Sequence, residues 1–384
     1  MSLDGRRVAV ALAGFCTFIA LYMPQALLPS LAQEFAVGAA QISMIITAST
    51  LAIALTAPFT GALADVLGRK RVITAALVAV VVPTALTALA QDVPALIVWR
   101  FAQGLLLPPI FVVTLAYIGD EWPAAEVPGI AGLYVAGSSI GGFAGRFLTG
   151  VLADQFGWRS AFLTVAAMIL ACAAAVAWLL PRERKFVRSE GLTASLRQML
   201  RHLRNGQLIA TYAVGFGVLF NFMATFTYVT FHLAAPPYGF SPSLLGAIFI
   251  TYLAGTVSTP LAGRAVNWFG LRALMLATIA LWALGVLMTL AAPLPAIVAG
   301  LTLCAGCGMV CQAISTATVT ATARQGRSSA VGLYVTAFYV GGAVGAFLPG
   351  LAWNAGGWPA AVAMVVAMQA VMALIVAIAW ERSL

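Results

Sequence analysis

Charge is what this sequence has least of. Only 8% of its 384 residues are Asp, Glu, Lys or Arg, against 62% hydrophobic residues and a mean hydropathy of +1.01. So little polar surface cannot cover a soluble globule of this length. Histidine is scarce as well: His202 and His232 are the whole supply, which leaves a hydrolytic triad without a base and a soft-metal site without converging ligands. The five cysteines (Cys16, Cys172, Cys304, Cys307 and Cys311) all fall in apolar stretches, so they indicate no disulfide framework. The 11 acids are also displaced from the middle of those stretches: Asp4, Asp65, Asp120, Glu121, Glu126, Glu183, Glu190 and Glu381 lie towards one side, Glu34, Asp92 and Asp154 towards the other.

What is present is a series of apolar runs of about 20 residues, the length that crosses a bilayer. They predict twelve spans, near residues 8–30, 41–64, 72–90, 95–118, 128–153, 158–180, 207–233, 243–262, 273–291, 295–320, 329–352 and 359–380. The chain is thus expected to be an all-α, multi-pass membrane protein embedded in a lipid bilayer. Arg6 and Arg7 precede the first run as they would in a secretory signal, but the run is of span length, holds Pro24 and Pro29, and lacks a small-residue cleavage site, so it is read as the first helix. With the N-terminus in the cytoplasm, all but three of the 20 basic residues fall inside; Arg159 lies outside, and Arg100 and Arg146 lie within spans. That asymmetry puts both termini in the cytoplasm. The net charge of +9 is then a consequence of topology and no sign of nucleic acid.

The chain also repeats itself. Gly132-Leu133-Tyr134-Val135 recurs 200 positions later as Gly332-Leu333-Tyr334-Val335, and the match runs on through Gly141-Gly142/Gly341-Gly342, Gly145/Gly345, Phe147-Leu148/Phe347-Leu348, Gly150/Gly350 and Gly157-Trp158/Gly357-Trp358. Parallel halves in an apolar chain are the architecture of a secondary transporter. The expected division is a six-helix bundle over 1–180, a linker over 181–206 and a second bundle over 207–384. In the linker Leu192, Leu196, Leu200 and Leu203 share a face opposite Arg197, Arg201 and Arg204, with Thr193 as a possible N-cap. This reads as an interfacial helix, either gripping anionic headgroups or acting as a solvated basic tether.

Residues 61–71, Gly61-Ala-Leu63-Ala-Asp65-Val-Leu-Gly68-Arg69-Lys70-Arg71, resemble the G-x-L-x-D-x-x-G-R-K/R signature of the major facilitator superfamily, in a loop between helices 2 and 3. The second half keeps Gly263, Gly270 and Arg272 but has Asn267 in place of the acid. Arg100-Phe-Ala-Gln103-Gly104 in helix 4 resembles the R-x-x-Q-G motif of proton-driven members. Gly137-Ser138-Ser139-Ile140-Gly141-Gly142 in helix 5 is similar to the exporters' G-P-x-x-G-G element, with Ser138 where they carry proline. The resemblance implies the major facilitator fold, two six-helix bundles of twelve transmembrane helices working by alternating access. It further implies that Asp65, with Gly68, Arg69 and Arg71, latches a cytoplasmic gate near Ser328 and Ser329, the alternative being a turn with a solvated acid. The nearest functional likeness is to proton-antiporting drug and metabolite exporters.

A charge in the hydrocarbon is costly enough to be a functional candidate by default. Arg146 is the sharper one, because the repeat places Ala346 at its counterpart. It either lines the central cavity, or snorkels or pairs with Glu34 or Asp154. Arg100, one helical turn from Gln103 and within reach of Tyr22 and Gln25, serves either as a structural bridge or in coupling. Exporters of lipophilic cations usually need a buried carboxylate, which no span centre provides here; the neutral groups Asn221, Tyr228, Tyr252, Gln312, Tyr334 and Tyr339 complete an expected electropositive cavity. Proton coupling would then use a peripheral acid, Glu34, Asp154 or Asp120, or a proton carried by the substrate. Gly137-Ser-Ser139-Ile-Gly141 has nucleophile-elbow spacing but lies within a span, and Cys304-Ala-Gly-Cys307 has thioredoxin spacing without its βαβ setting. No enzyme, cofactor or metal is expected. The expected partners are a small organic anion or zwitterion for export, protons and lipid, with the chain a monomer; uptake or exchange of an organic anion, or polyspecific drug efflux, is the alternative.

Overall fold

A chain in hydrocarbon has no water to satisfy its N–H and C=O groups, so it forms helices that close their own hydrogen bonds. The computed structural model describes residues 4–183, 198–323 and 326–380, and it is helical almost throughout, with no strand among those residues. Ten helical segments are long and apolar enough to cross a bilayer. Two of them, Val127–Leu179 and Arg327–Ala379, run 53 residues each. At 1.5 Å per residue that is about 80 Å against a hydrocarbon core of ~30 Å, so each must hold two spans. Both break at the repeated Gly-Trp: Gly157 has φ +82° and Gly357 has φ +62°, a region that a side chain resists.

Twelve spanning helices result among the described residues. Helix 1 is Gly5–Tyr22, continued beyond a break by the turn Gln25–Leu27 and by Leu28–Glu34. Helices 2 and 3 are Ala39–Leu67 and Arg69–Ala88; helix 4 is Val93–Leu106 with Pro108–Glu121. Helices 5 and 6 lie on either side of Gly157, and helix 7 is Gly206–Ala234. Helix 8 is Pro242–Ile248, Phe249–Tyr252 and Leu253–Phe269, helix 9 Leu271–Met288 and helix 10 Leu294–Thr322; helices 11 and 12 flank Gly357. One expectation is corrected: residues 61–67 are the last turns of helix 2 and no loop. Ala and Leu carry the helix on, and the chain turns only at Gly68, with φ +89°. Of the expected linker helix, residues 198–202 are helical, and the part before 198 lies outside the described residues.

Glycine sets the closest packing. A Cβ at Gly137, Gly141 or Gly145 of helix 5 would strike the backbone of Ala11, Phe15 or Ile19 in helix 1. Gly341 and Gly345 of helix 11 meet Phe216 and Phe220 of helix 7 in the same way. Backbones that approach this closely gain dispersion contacts that lipid cannot match.

The chain gathers into two compact units. The first is Met1–Ala36, Ala48–Leu192 and Ala234–Ala247; the second is Val37–Thr47, Thr193–Leu233 and Ile248–Leu384. Each takes most of one repeat and the leading end of one helix from the other repeat. Within the first unit, Gly150 and Gly246 make close approaches between helix 5 and the start of helix 8, and Asp154 accepts from the Ser243 N–H at 3.0 Å. Within the second, Gly350 packs against Ala40 and the Thr47 hydroxyl donates to the Ala343 carbonyl at 3.0 Å.

Candidate functional site

The break in helix 1 organises the first unit's polar interior. Pro24 has no N–H to give the Ala20 carbonyl, and the helix stops at Tyr22, so carbonyls are left at hydrocarbon depth. Neighbouring helices bond them. Arg100, fully buried in helix 4, donates to the Ala20 and Leu21 carbonyls at 2.8 and 2.6 Å. It also bonds Gln103, whose amide donates to the Thr84 hydroxyl of helix 3 at 2.6 Å. Thr149 of helix 5 donates to the Met23 carbonyl at 2.8 Å.

Arg146 lies on the other side of this break, 2% exposed. Its Nε donates to Gln25 Oε1 at 2.7 Å, one Nη donates to the Gly142 carbonyl at 2.8 Å, and the guanidinium lies 3.8 Å from the centre of the Tyr22 ring. Phe18 stacks on Tyr22 at 6.0 Å, and Phe143 stacks on Phe147 at 5.4 Å. Tyr22 and Gln25, expected beside Arg100, are thus engaged by Arg146. The acids weighed as partners for Arg146 are occupied elsewhere. Glu34 accepts from Trp158 Nε1 at 2.5 Å and from Arg159 at 2.8 Å, and Asp154 accepts from Ser243.

The signature residues form a compact ionic cluster. Arg69 bridges Asp65, 3.9 Å away, and Asp120 at the end of helix 4. Glu183 sits against Gly68 and accepts from the Lys70 N–H at 3.3 Å, a negative charge at the positive end of helix 3. Arg71 points to the exposed surface. Sequence reasoning passed over Glu183; its signal was an acid two residues after Pro181, where helix 6 ends. Of the expected gate partners, Ser329 bonds Gln198 within the second unit at 3.3 Å.

In the second unit most polar candidates face their own neighbours. Tyr228 is buried and donates to the Ala346 carbonyl at 2.6 Å, tying helix 7 to helix 11. Asn221 donates to the Gly217 carbonyl at 2.7 Å and contacts Met372 Sδ at 3.1 Å. Tyr252 stacks on Phe226 at 4.6 Å, in a cluster with Phe222, Phe249 and Trp282. Tyr334 is buried against Gly215 and Phe338, Tyr339 is buried beside Phe338, and Gln312 is exposed. The three cysteines of helix 10 are free and buried, as packing groups. Thr149, Thr84 and Gln369 are buried polar groups that no sequence motif marked.

Comparison with known proteins bears on the whole chain. A sequence profile described as Major Facilitator Superfamily matches residues 10–255 and 221–383. The inner membrane transport protein YnfM of Escherichia coli (strain K12) is 32% identical over 98% of this chain and 91% of its own length. The uncharacterized MFS-type transporter YybF of Bacillus subtilis (strain 168) is 28% identical over 93% of this chain and 88% of its own. Among solved structures, the nucleoside transporter NupG superposes with a TM-score of 0.81 over 98% of this chain and all of that one, at 14% identity.

Proposed function

The chain belongs to the Major Facilitator Superfamily and is a multi-pass membrane transporter, no enzyme, and from that premise we propose that it exports a small organic anion or zwitterion by alternating access. The observation that carries this reading is Arg146. It is a guanidinium within the apolar interior whose bonds to Gln25 and Gly142 are to neutral oxygens, at a position that the repeat fills with Ala346. An entering carboxylate, phosphate or phenolate replaces the Gln25 amide oxygen on Nε by a charged acceptor, and the charge-assisted bond is about twice as strong as the neutral one. Tyr22 keeps the guanidinium plane fixed meanwhile, so recognition needs no reorganisation of the ring stack.

Export coupled to protons, across an inner membrane with both termini inside, extends the same reading. Its supports are the R-x-x-Q-G residues Arg100 and Gln103 and the basic residues gathered on one side. The peripheral acids Glu34, Asp154 and Asp120 are the candidates to carry the proton.

Binding by the purified protein of matched anionic, neutral and cationic ligands tests the core of this. Anions are expected to bind tightest, Arg146→Lys to retain part of the affinity and Arg146→Ala to lose it while the protein stays inserted and monodisperse. Quaternary ammonium dyes binding tighter than any anion, untouched by Arg146→Ala, would sink the reading in favour of polyspecific drug efflux. Proteoliposomes with and without a pH gradient decide direction: accumulation with the gradient and no dependence on opposing protons would mean uptake or exchange.

A further inference from the structure

Most buried polar groups of the described chain bond a backbone carbonyl one turn back. Several in the second unit do not, and one group of these flanks the contact between helices 7 and 12. Asn221 of helix 7 reaches helix 12 at Met372 Sδ, 3.1 Å away, and spends its amide on Gly217, but its Oδ1 has no hydrogen-bond partner among the described residues. One turn further along helix 7, Thr225 Oγ1 is buried and equally unsatisfied. One turn back along helix 12, Gln369 is 1% exposed and both ends of its amide are unsatisfied. Helices 7 and 12 run in opposite directions, as odd and even spans of one serially threaded chain must. A step forward on helix 7 and a step back on helix 12 therefore arrive at the same depth.

The fold does not require polarity here. Gly145 packs on Ile19 and Gly345 on Phe220, so helix 7 repeats helix 1 with Asn221 in the place of Ala20. Gln369 stands as far beyond Trp358 as Ile169 stands beyond Trp158. At the equivalent positions the first half has Ala20, Pro24 and Ile169, all apolar, where the second half carries two amides and a hydroxyl. Unpaired amides at hydrocarbon depth cost so much that such groups are met by a guest when protein does not meet them.

We propose that the contact between helices 7 and 12, walled by Asn221, Thr225, Gln369 and Met372, is a binding site for buried water. The donor set selects the guest. Asn221 Oδ1 and Gln369 Oε1 only accept, the Gln369 amide N–H groups only donate, and the Thr225 hydroxyl does either. Water donates to the first pair and accepts from the second. A bare cation would satisfy the oxygens and be repelled by the N–H groups.

Met372 reports the guest directly. In X-ray hydroxyl-radical footprinting, radicals arise from water in place, so a thioether touching a bound water is oxidised although bulk solvent cannot reach it. Met275 of the same unit is equally inaccessible and serves as the control. Met372 in the wild-type protein is expected to oxidise several-fold faster than Met275. In Asn221→Ala/Gln369→Ile, which installs the residue types of the first half, and in the single Gln369→Leu, it should fall to the Met275 rate. Equal rates at Met372 and Met275 in the wild type would overturn the proposal whether or not either variant folds. Equal rates together with a thermal midpoint raised by sodium chloride but not by choline chloride would overturn it in favour of a monovalent cation.

Discussion

At the scale of single residues, the two arginines in the apolar interior do different work, and the difference lies in what they touch. Arg100 bonds the carbonyls that Pro24 leaves without donors, so it completes a broken helix; Arg146 is held by an exchangeable amide. Arg100→Ala should therefore lower stability, by about 1.5–3 kcal/mol for hydrogen bonds to a charged group, with Arg100→Lys recovering part. Thermal unfolding in detergent measures this. An unchanged midpoint with transport lost would instead make Arg100 a coupling residue. That both arginines lie buried in the apolar interior was legible in the sequence, because a charge stands out in an apolar run. Their partners were not: Thr149, Gln25 and the carbonyls of helix 1 come together only through the crossing of helices 1, 4 and 5. Glu183, more than a hundred residues from Lys70, was hidden for the same reason.

At the scale of helices, the sequence spoke through its glycines. The four-residue spacing of Gly137, Gly141 and Gly145 told of a close helix contact, and the structure supplies its other side in the backbone of helix 1. Gly141→Ala and Gly345→Ala should each destabilise strongly, since the new methyl meets main chain that has nowhere to move. Gly132→Ala has open space around it and should be neutral or stabilising by up to about 1 kcal/mol, through helix propensity alone. Detergent melting curves of the three variants separate packing from propensity; equal losses would refute the contact. The end of helix 2 was less legible, because a signature learned as a loop reads as a loop. Its residues are good helix formers, and only Gly68 turns the chain.

At the scale of the whole molecule, the duplication and the sidedness of charge were open to inspection in the sequence. Sidedness can be measured. With Lys70→Cys and Ser160→Cys in turn, an impermeant maleimide applied to right-side-out cells should label Ser160→Cys at once and Lys70→Cys only after permeabilisation. The reverse pattern would invert the topology. The grouping of residues 37–47 with the second unit and 234–247 with the first was beyond sequence reasoning, since it follows from packing and leaves no mark in hydropathy.

That reciprocal grouping has a bearing on ancestry. Before the duplication, a polypeptide of one repeat had no second repeat to receive the leading end of its second helix, and none to lend it one. Only a twin could have done both. A homodimer of two such chains, each lodging the start of one helix in the other, would make the same exchange, a swapped pair in the sense of symmetric oligomers. Fusion of the two would make such a partnership permanent and leave the two copies to diverge. One half holds Arg146 where the other has an alanine, and one holds Asn221 and Gln369 where the other is apolar.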